Sequence, residues 1–206
     1  MAFPLLKKLS EYDSRAEEVF KEELAIRLKS GSQTVQEFLF NEYFNDIIEL
    51  DEDINFNNLN IESLIMPNMK LNNFPDVNKL KKLTKVYVCG NNLETLPDSI
   101  LKLEHLKCLN VCNNNLHSLP ELIGDMENLE VLSIVNNKII SLPESITKLK
   151  NLKELYLSHN NLSTLPDSMG NLNNLKLLRL SNNKLKHSKK VLKRLKKELP
   201  LCEIIV

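Results

Sequence analysis

The side chains able to do chemistry are few and scattered. Four cysteines include Cys89, Cys108 and Cys112, and a cluster of thiolates would suit zinc if four ligands converged in tetrahedral geometry. His105, His117 and His187 have no acid beside them in a recurring motif, and no nucleophile–base–orienter set is visible. With four glycines in 206 residues there is no glycine-rich loop to cradle a phosphate. Between Lys184 and Lys197 stand seven lysines and one arginine, a run that could track the phosphates of nucleic acid or an anionic membrane surface. Which of these groups meet depends on the elements that carry them.

Those elements repeat. Leu-Pro pairs fall at Leu96-Pro97, Leu119-Pro120, Leu142-Pro143 and Leu165-Pro166, in steps of 23 residues. Asn91, Asn114, Asn137, Asn160 and Asn183 keep the same step. Self-similarity at this period is the signature of a solenoid. No unit is long enough to bury its own leucines, so Leu152, Leu155, Leu157, Leu162 and Leu165 point inward only if coils stack and cover one another. Leu155-Tyr156-Leu157 alternates with period two and predicts a short strand with Tyr156 facing out; successive strands would pair in parallel. The asparagine stands where the chain leaves the strand, and its amide, both donor and acceptor, can satisfy backbone groups buried in that turn. Stretches such as Asp167–Leu172 should return along the convex side as a turn of 3₁₀ helix or less.

The frame L-x-x-L-x-L-x-x-N-x-L-x-x-L-P, legible as Leu106, Leu109, Val111, Asn114, Leu116, Leu119 and Pro120, resembles that of leucine-rich repeat proteins of the 23-residue class. Leu142-Pro143-Glu144-Ser145-Ile146-Thr147-Lys148-Leu149-Lys150-Asn151-Leu152 carries their L-P-x-x-I-G-x-L-x-x-L pattern with Thr147 in place of glycine. Similar repeats occur in Ras-suppressor-like and many bacterial leucine-rich repeat proteins. The resemblance covers Ile61 to Val206 and implies an α/β fold, a right-handed solenoid with a parallel concave sheet. Ile61–Lys82 reads as a degenerate first repeat of 22 residues, with Met69 on the asparagine ladder and Asn68 one place early. At the far end Ser188-Lys189 replaces Leu-Pro; Val191, Leu192, Leu195 and Leu199 then form one helical stripe, Pro200 stops it, and Cys202–Val206 reads as a last strand. Repeat arrays need such atypical ends to keep their cores from water. The expected organisation is a helical cap or small module over 1–60, repeats over 61–188 and a helix–strand cap over 189–206.

The resemblance implies binding through the outward strand positions. One column holds Lys85, Cys108, Val131, Glu154 and Leu177; the next Tyr87, Asn110, Ser133, Tyr156 and Arg179; a third Cys89, Cys112, Val135, Ser158 and Ser181, followed by Gly90, Asn113, Asn136, His159 and Asn182. Tyrosine and arginine are frequent interface anchors, and with Val131, Val135 and Leu177 they make this face less polar than a solvated sheet requires. The expected contact set is Lys85, Tyr87, Asn110, Val131, Ser133, Val135, Glu154, Tyr156, His159, Leu177 and Arg179. Six strands at about 4.8 Å spacing span about 24 Å, room for one helix, one extended peptide or one lobe of a small domain. Cys89 and Cys112 share a column, but His159 lies two strands from Cys112, about 10 Å away. The thiols are therefore expected as small apolar side chains, with no metal, no cofactor and no small-molecule substrate. The lysine run is expected as the solvated face of a capping helix.

Formal net charge is zero, yet residues 1–60 carry six basic and thirteen acidic side chains and hold eight of the eleven aromatics. Ser14-Arg15-Ala16-Glu17 has capping-box form ahead of a helix with Ala16, Val19, Phe20, Leu24 and Leu28 on one face and Gly31 as its stop. A second helix is predicted from Thr34 through Phe44. The acidic run Asp46–Asp53 offers a contact of its own if this segment is a binding module rather than a cap. No stretch approaches the roughly 18 apolar residues of a membrane span, the N-terminus lacks an apolar core of signal-peptide length, and four cysteines are no disulfide framework. A monomer in the cytoplasm is the expectation, or an effector that a pathogen delivers into host cells. The function expected is non-enzymatic binding of one protein or peptide. Its rival is electrostatic capture of nucleic acid or membrane by the basic C-terminal helix.

Overall fold

The computed structural model describes residues 3–49, 59–186 and 188–206, and the chain divides into two compact units, Met1–Leu64 and Ile65–Val206. The first unit is helical: α1 (Phe3–Ser10), α2 (Ser14–Ser30), α3 (Gln33–Glu42) and α4 (Phe44–Glu49). Phe20, Leu24 and Leu28, four residues apart, form the buried stripe of α2 and share a core with Leu39, Phe44 and Ile47. Val19 lies one residue, about 100°, off that stripe and is 47% exposed, against the sequence reading. The Phe20 and Tyr43 rings meet edge to face with centroids 5.6 Å apart. Lys7 stands 5.0 Å from the Phe20 centroid and pairs with Asp46. Asp46 opens the acidic run, of which 50–53 lie outside the described residues.

The α2 cap is Asp13, one residue before the predicted Ser14: its carboxylate accepts the Arg15 amide at 2.9 Å. Gly31 does stop the helix, but with φ −72° rather than a left-handed turn. A glycine is needed there for space, since a Cβ would meet the Arg27 carbonyl oxygen at 2.6 Å. Gln36 is buried, donating to Leu28 O at 2.7 Å and accepting from the Asn60 amide at 3.1 Å.

Seven strands follow, β1 (Ser63–Ile65), β2 (Lys85–Tyr87), β3 (Cys108–Asn110), β4 (Val131–Ser133), β5 (Glu154–Tyr156), β6 (Leu177–Arg179) and β7 (Glu203–Ile205), in one parallel sheet in chain order. Their central residues stack in register: Val86, Leu109, Leu132, Leu155 and Leu178 are paired neighbour to neighbour and fully buried. Each Leu-Pro leads into a 3₁₀ turn, over Asp98–Lys102, Ile123–Asp125, Glu144–Lys148 and Asp167–Asn171. Proline suits this entry because its missing N–H has no partner to lose there. Its carbonyl instead accepts the amide three residues on, at Ile100, Ile123, Ile146 and Met169. Those four side chains are fully buried and close the core opposite the strands.

The asparagine ladder makes each coil depend on the one before it. Asn137 donates to Ile134 O of its own coil (3.1 Å) and to Val111 O of the preceding coil (3.0 Å), and its Oδ1 accepts the Leu116 amide at 2.9 Å. Asn91, Asn114, Asn160 and Asn183 make the same three links. A second row went unread in the sequence: Asn128, Asn151 and Asn174, again 23 apart, donate to Glu104, Glu127 and Lys150 carbonyls at 2.8, 2.9 and 2.7 Å on the outer side.

Gly124, Thr147 and Gly170 occupy one position in successive coils. A Cβ on Gly124 would meet Ser145 O at 2.0 Å. Thr147 carries a Cβ at that position and is buried. The turn of the next coil departs from helical geometry at Ser168 (φ −86°, ψ 15°), the equivalent of Ser145.

Two stability outcomes follow from these contacts. Asn137→Leu should lose about 1–3 kcal/mol for each backbone group it strands, and Asn183→Leu, whose side chain is only half-buried, should lose less because water replaces it. Paired urea melts check this; equal losses would mean that burial does not set the cost. Gly124→Ala should destabilise by about 1–3 kcal/mol through overpacking against the neighbouring backbone, while Thr147→Ala stays well below that in the same melts.

Candidate functional site

One face of the sheet lines the core, and the residues on either side of each buried central leucine or valine turn to the other face. Strand pairing aligns them into rows. One runs Lys85, Cys108, Val131, Glu154, Leu177, Glu203, and the other Tyr87, Asn110, Ser133, Tyr156, Arg179, Ile205. Nine of the eleven residues named from the sequence stand in these two rows; Val135 and His159 lie just past the ends of β4 and β5. Lys85, Arg179 and His159 are exposed; Tyr87, Asn110, Val131, Val135, Glu154, Tyr156 and Leu177 are half-buried. Ser133 is 8% exposed, so its hydroxyl leaves a low point between Asn110 and Tyr156 rather than a projecting contact.

The rows are cross-linked. Tyr156 Oη donates to Glu154 Oε2 at 2.6 Å, and this bond to a carboxylate, with burial second, raises the phenol above its ordinary range. The Arg179 guanidinium lies 5.7 Å from the Tyr156 ring centroid, a cation–π stack that holds the ring and leaves the charge available. Tyr87 is likewise raised, chiefly by its hydrogen bond with Cys108. The result is a fixed aromatic–cation cluster at one side and a second tyrosine at the other.

The thiols are engaged, which corrects their reading as apolar filler. The Cys89 thiol donates to Asn110 Oδ1 at 3.1 Å, and Asn113 Nδ2 donates to Cys112 Sγ at 3.6 Å. The hydrogen bond from Cys89 lowers Cys112 to about 7, and the same bond pushes Cys89 up. Burial raises Cys108. Among the described residues no group of three His, Cys, Asp or Glu side chains is arranged to hold a metal ion.

Beyond the strands, Gly90, Asn113, Asn136, His159 and Asn182 all have φ between 53° and 69°, the left-handed geometry that turns the chain out of the sheet. Glycine and asparagine tolerate it best, and the Gly-Asn or Asn-Asn pairs preceding each ladder position were the signal for it. Gly90 is also held by space, since a Cβ would lie 2.1 Å from Asn68 Oδ1. Asn136 donates to Asn113 at 2.8 Å, and Asn182 pairs with His159 Nε2 at 3.0 Å, so a polar rim borders the two rows.

The basic segment is α5 (Ser188–Glu198), with Leu195 and Leu199 buried. Arg194 bonds Asp167 at 2.6 Å and Pro166 O at 3.2 Å, so it fastens α5 to the last 3₁₀ turn. A cleft of about 700 Å³ beside it is lined in part by Glu144, Asp167, Lys186 and Lys190, of mixed charge. His187 lies outside the described residues. No helix among the described residues is long and apolar enough to cross a membrane.

Comparison with known proteins agrees with this construction. A family profile described as a leucine-rich repeat region matches residues 100–201. A leucine-rich repeat protein of Leptospira interrogans is 36% identical, with TM-score 0.69, over 78% of this chain and 39% of its own length. An internalin of Listeria monocytogenes is 20% identical, with TM-score 0.58, over 75% of this chain and 44% of its own. The leucine-rich repeat ectodomain of a plant membrane receptor kinase of Arabidopsis thaliana, solved in complex with Casparian strip integrity factor 2, is 31% identical with TM-score 0.53 over 61% of this chain and 16% of its own. The chain thus spans less than half the length of these proteins. No curated protein matches it in sequence. Register, asparagine ladder and family match together make the chain a leucine-rich repeat protein of the bacterial type.

Proposed function

We propose that the chain is a non-enzymatic binding module that takes one protein or peptide across the open face of its sheet. The observation that carries this reading is the pair of rows anchored by Tyr87, Tyr156 and Arg179. Two half-buried aromatic rings and a stacked guanidinium stand there on a rigid parallel sheet, and no other element of the described repeat unit covers them. Such residues dominate interface energetics when desolvated, and a sheet that is already ordered loses little entropy on binding. The low point at Ser133 gives a partner side chain a place between the anchors. The plant receptor ectodomain in its complex lends support by analogy of fold. The free thiols Cys89, Cys108, Cys112 and Cys202 suit a reducing working environment, as in cytoplasm.

The basic helix is the weaker candidate, because its most specific cation is spent on structure: Arg194 bonds Asp167 and Pro166 within the fold. A test of α5 must therefore spare Arg194 and reverse the exposed Lys193 and Lys196.

Peptides selected for affinity from a random display library against the folded chain supply a ligand of known sequence. Tyr87→Ala with Tyr156→Ala should weaken that ligand at least tenfold, as loss of hot-spot anchors does, with the urea midpoint little changed. Lys193→Glu with Lys196→Glu should change affinity less than threefold. The reverse pattern, with affinity falling steeply as salt rises, would overturn the reading in favour of electrostatic capture at α5.

A further inference from the structure

We propose that Cys89 and Cys112 are a redox-active dithiol, a site at which a hydroperoxide is reduced and a disulfide forms between two adjacent repeats. The two residues stand two places beyond the Tyr87–Asn110 pair of the β2–β3 register. The chains are still parallel and bonded there: Val88 donates to Asn110 O at 2.9 Å, and Gly90 to Cys112 O at 3.0 Å. Neighbouring parallel strands lie about 4.8 Å apart, within the Cα separation that a disulfide bridges. Both side chains are half-buried on the open face and reachable by a small oxidant. Their hydrogen bond joins the two sulfurs, so no rearrangement is needed to bring them together.

The pair is asymmetric, as exchange chemistry requires. The groups acting on Cys112 are the Cys89 thiol, a backbone amide and the Asn113 amide, all of which favour its thiolate and outweigh burial. Cys89 keeps its proton, sharing it with Cys112 and with Asn110 Oδ1. Cys112 is thus the nucleophile and Cys89 the resolving thiol. In the first step the Cys112 thiolate attacks the outer oxygen of the hydroperoxide and the O–O bond breaks. Sulfur becomes sulfenic acid, and the departing alkoxide or hydroxide takes a proton from water. In the second step Cys89 sulfur attacks the sulfenyl sulfur, the S–O bond breaks, and the hydroxide leaves as water with the Cys89 proton. Two thiols and one hydroperoxide become one disulfide, one alcohol or water, and one water, a two-electron balance.

Cys108 is the internal control. It lies on the same face, but burial raises it and its hydrogen bond is to Tyr87 rather than to a thiol. Cys202, raised to about 11 by burial and Glu203, is the distant one. The proposal stands apart from the partner surface, although a bond between the ends of β2 and β3 would reshape the rim beside Tyr87.

Reduced protein treated with hydrogen peroxide at pH 7, then alkylated and peptide-mapped, tests this. The expected result is a linkage of Cys89 to Cys112, reversed by dithiothreitol, with Cys202 still alkylated. Cys108→Ser should form the same linkage at the same rate. Cys89→Ser should leave Cys112 as a sulfenic acid captured by dimedone. Cys112→Ser should slow the first oxidation about tenfold, since a thiol with pKa near 7 is half ionised at pH 7 and an ordinary one only a few per cent. Iodoacetamide labelling of Cys112 against pH should have its midpoint near 7, far below that of Cys108. A linkage that uses Cys108, equal rates at all four thiols, or an unchanged rate in Cys112→Ser would overturn the proposal. Far-UV circular dichroism of each variant separates these outcomes from a lost fold.

Discussion

Everything in the repeat unit depends on how the chain leaves the sheet. After each strand the backbone turns through a left-handed residue, which exposes carbonyls of two coils and an amide of the earlier one to a dry interior. An orphaned buried group there would cost about 1–3 kcal/mol, and the leucines around it have nothing polar to offer. One asparagine per coil supplies two donors and an acceptor at the required places, and those groups lie in two different coils. The side chain that completes one turn therefore also fixes the spacing to the coil before it. That is why the step cannot drift by a residue: a shift would put an aliphatic chain where an amide is required. Hydrophobic burial provides the larger part of the stabilisation, but it is indifferent to register and would accept a leucine one place along.

Fixed spacing has a consequence for the open face. The coils hold identical register, so any residue type placed at an outward strand position becomes one member of a straight row. The inner positions are constrained to Leu, Ile or Val, and the outer ones are constrained only by their neighbours in the row. Tyr156, Glu154 and Arg179 show what this permits. Glu154 and Tyr156 are two apart on one strand and meet through the hydroxyl, and Arg179 comes from the next strand to stack on the ring. Cys89 and Cys112 meet for the same reason. A solenoid turns a separation of 23 residues in sequence into contact between adjacent side chains, so a chance recurrence becomes a chemical pair.

The sequence was most legible where this constraint acts. Leu-Pro steps and the Asn91–Asn183 series give the strands, the turns and the rows of the open face, because each repeat tests the reading of the last. Other features were hidden for physical reasons. Asp13 rather than Ser14 caps α2, since either oxygen can serve and the decision rests on where the helix begins. The outer row Asn128, Asn151 and Asn174 looked like ordinary loop polarity, although its spacing matched the ladder. The Cys89–Cys112 contact was within reach of the register, but what the thiols do to each other depends on the orientation of the Asn110 and Asn113 amides, which no spacing encodes. In residues 1–60 each helix occurs once, so Val19 and Phe38, both exposed, could not be told from core by comparison with a second copy.

Gly124, Thr147 and Gly170 show how far the repeat tolerates individuality. The family pattern asks for glycine because the next coil's backbone passes close by, and at Gly124 the Ser145 carbonyl oxygen stands where a Cβ would go. One coil later threonine sits in the same place, buried, with its hydroxyl donating to Glu144 O at 2.8 Å. In the coil that follows, the turn is bent at Ser168. The glycine is thus a requirement of the pair of turns rather than of its own turn, and either member can yield. The inner ladder has no such freedom, because its partners are main-chain groups of sheet and turn that move only if the stacking moves. Variation is therefore admitted on the convex turns and on the open face, and refused along the line between them. This leaves the open face free to differ from protein to protein while the coil beneath it stays the same.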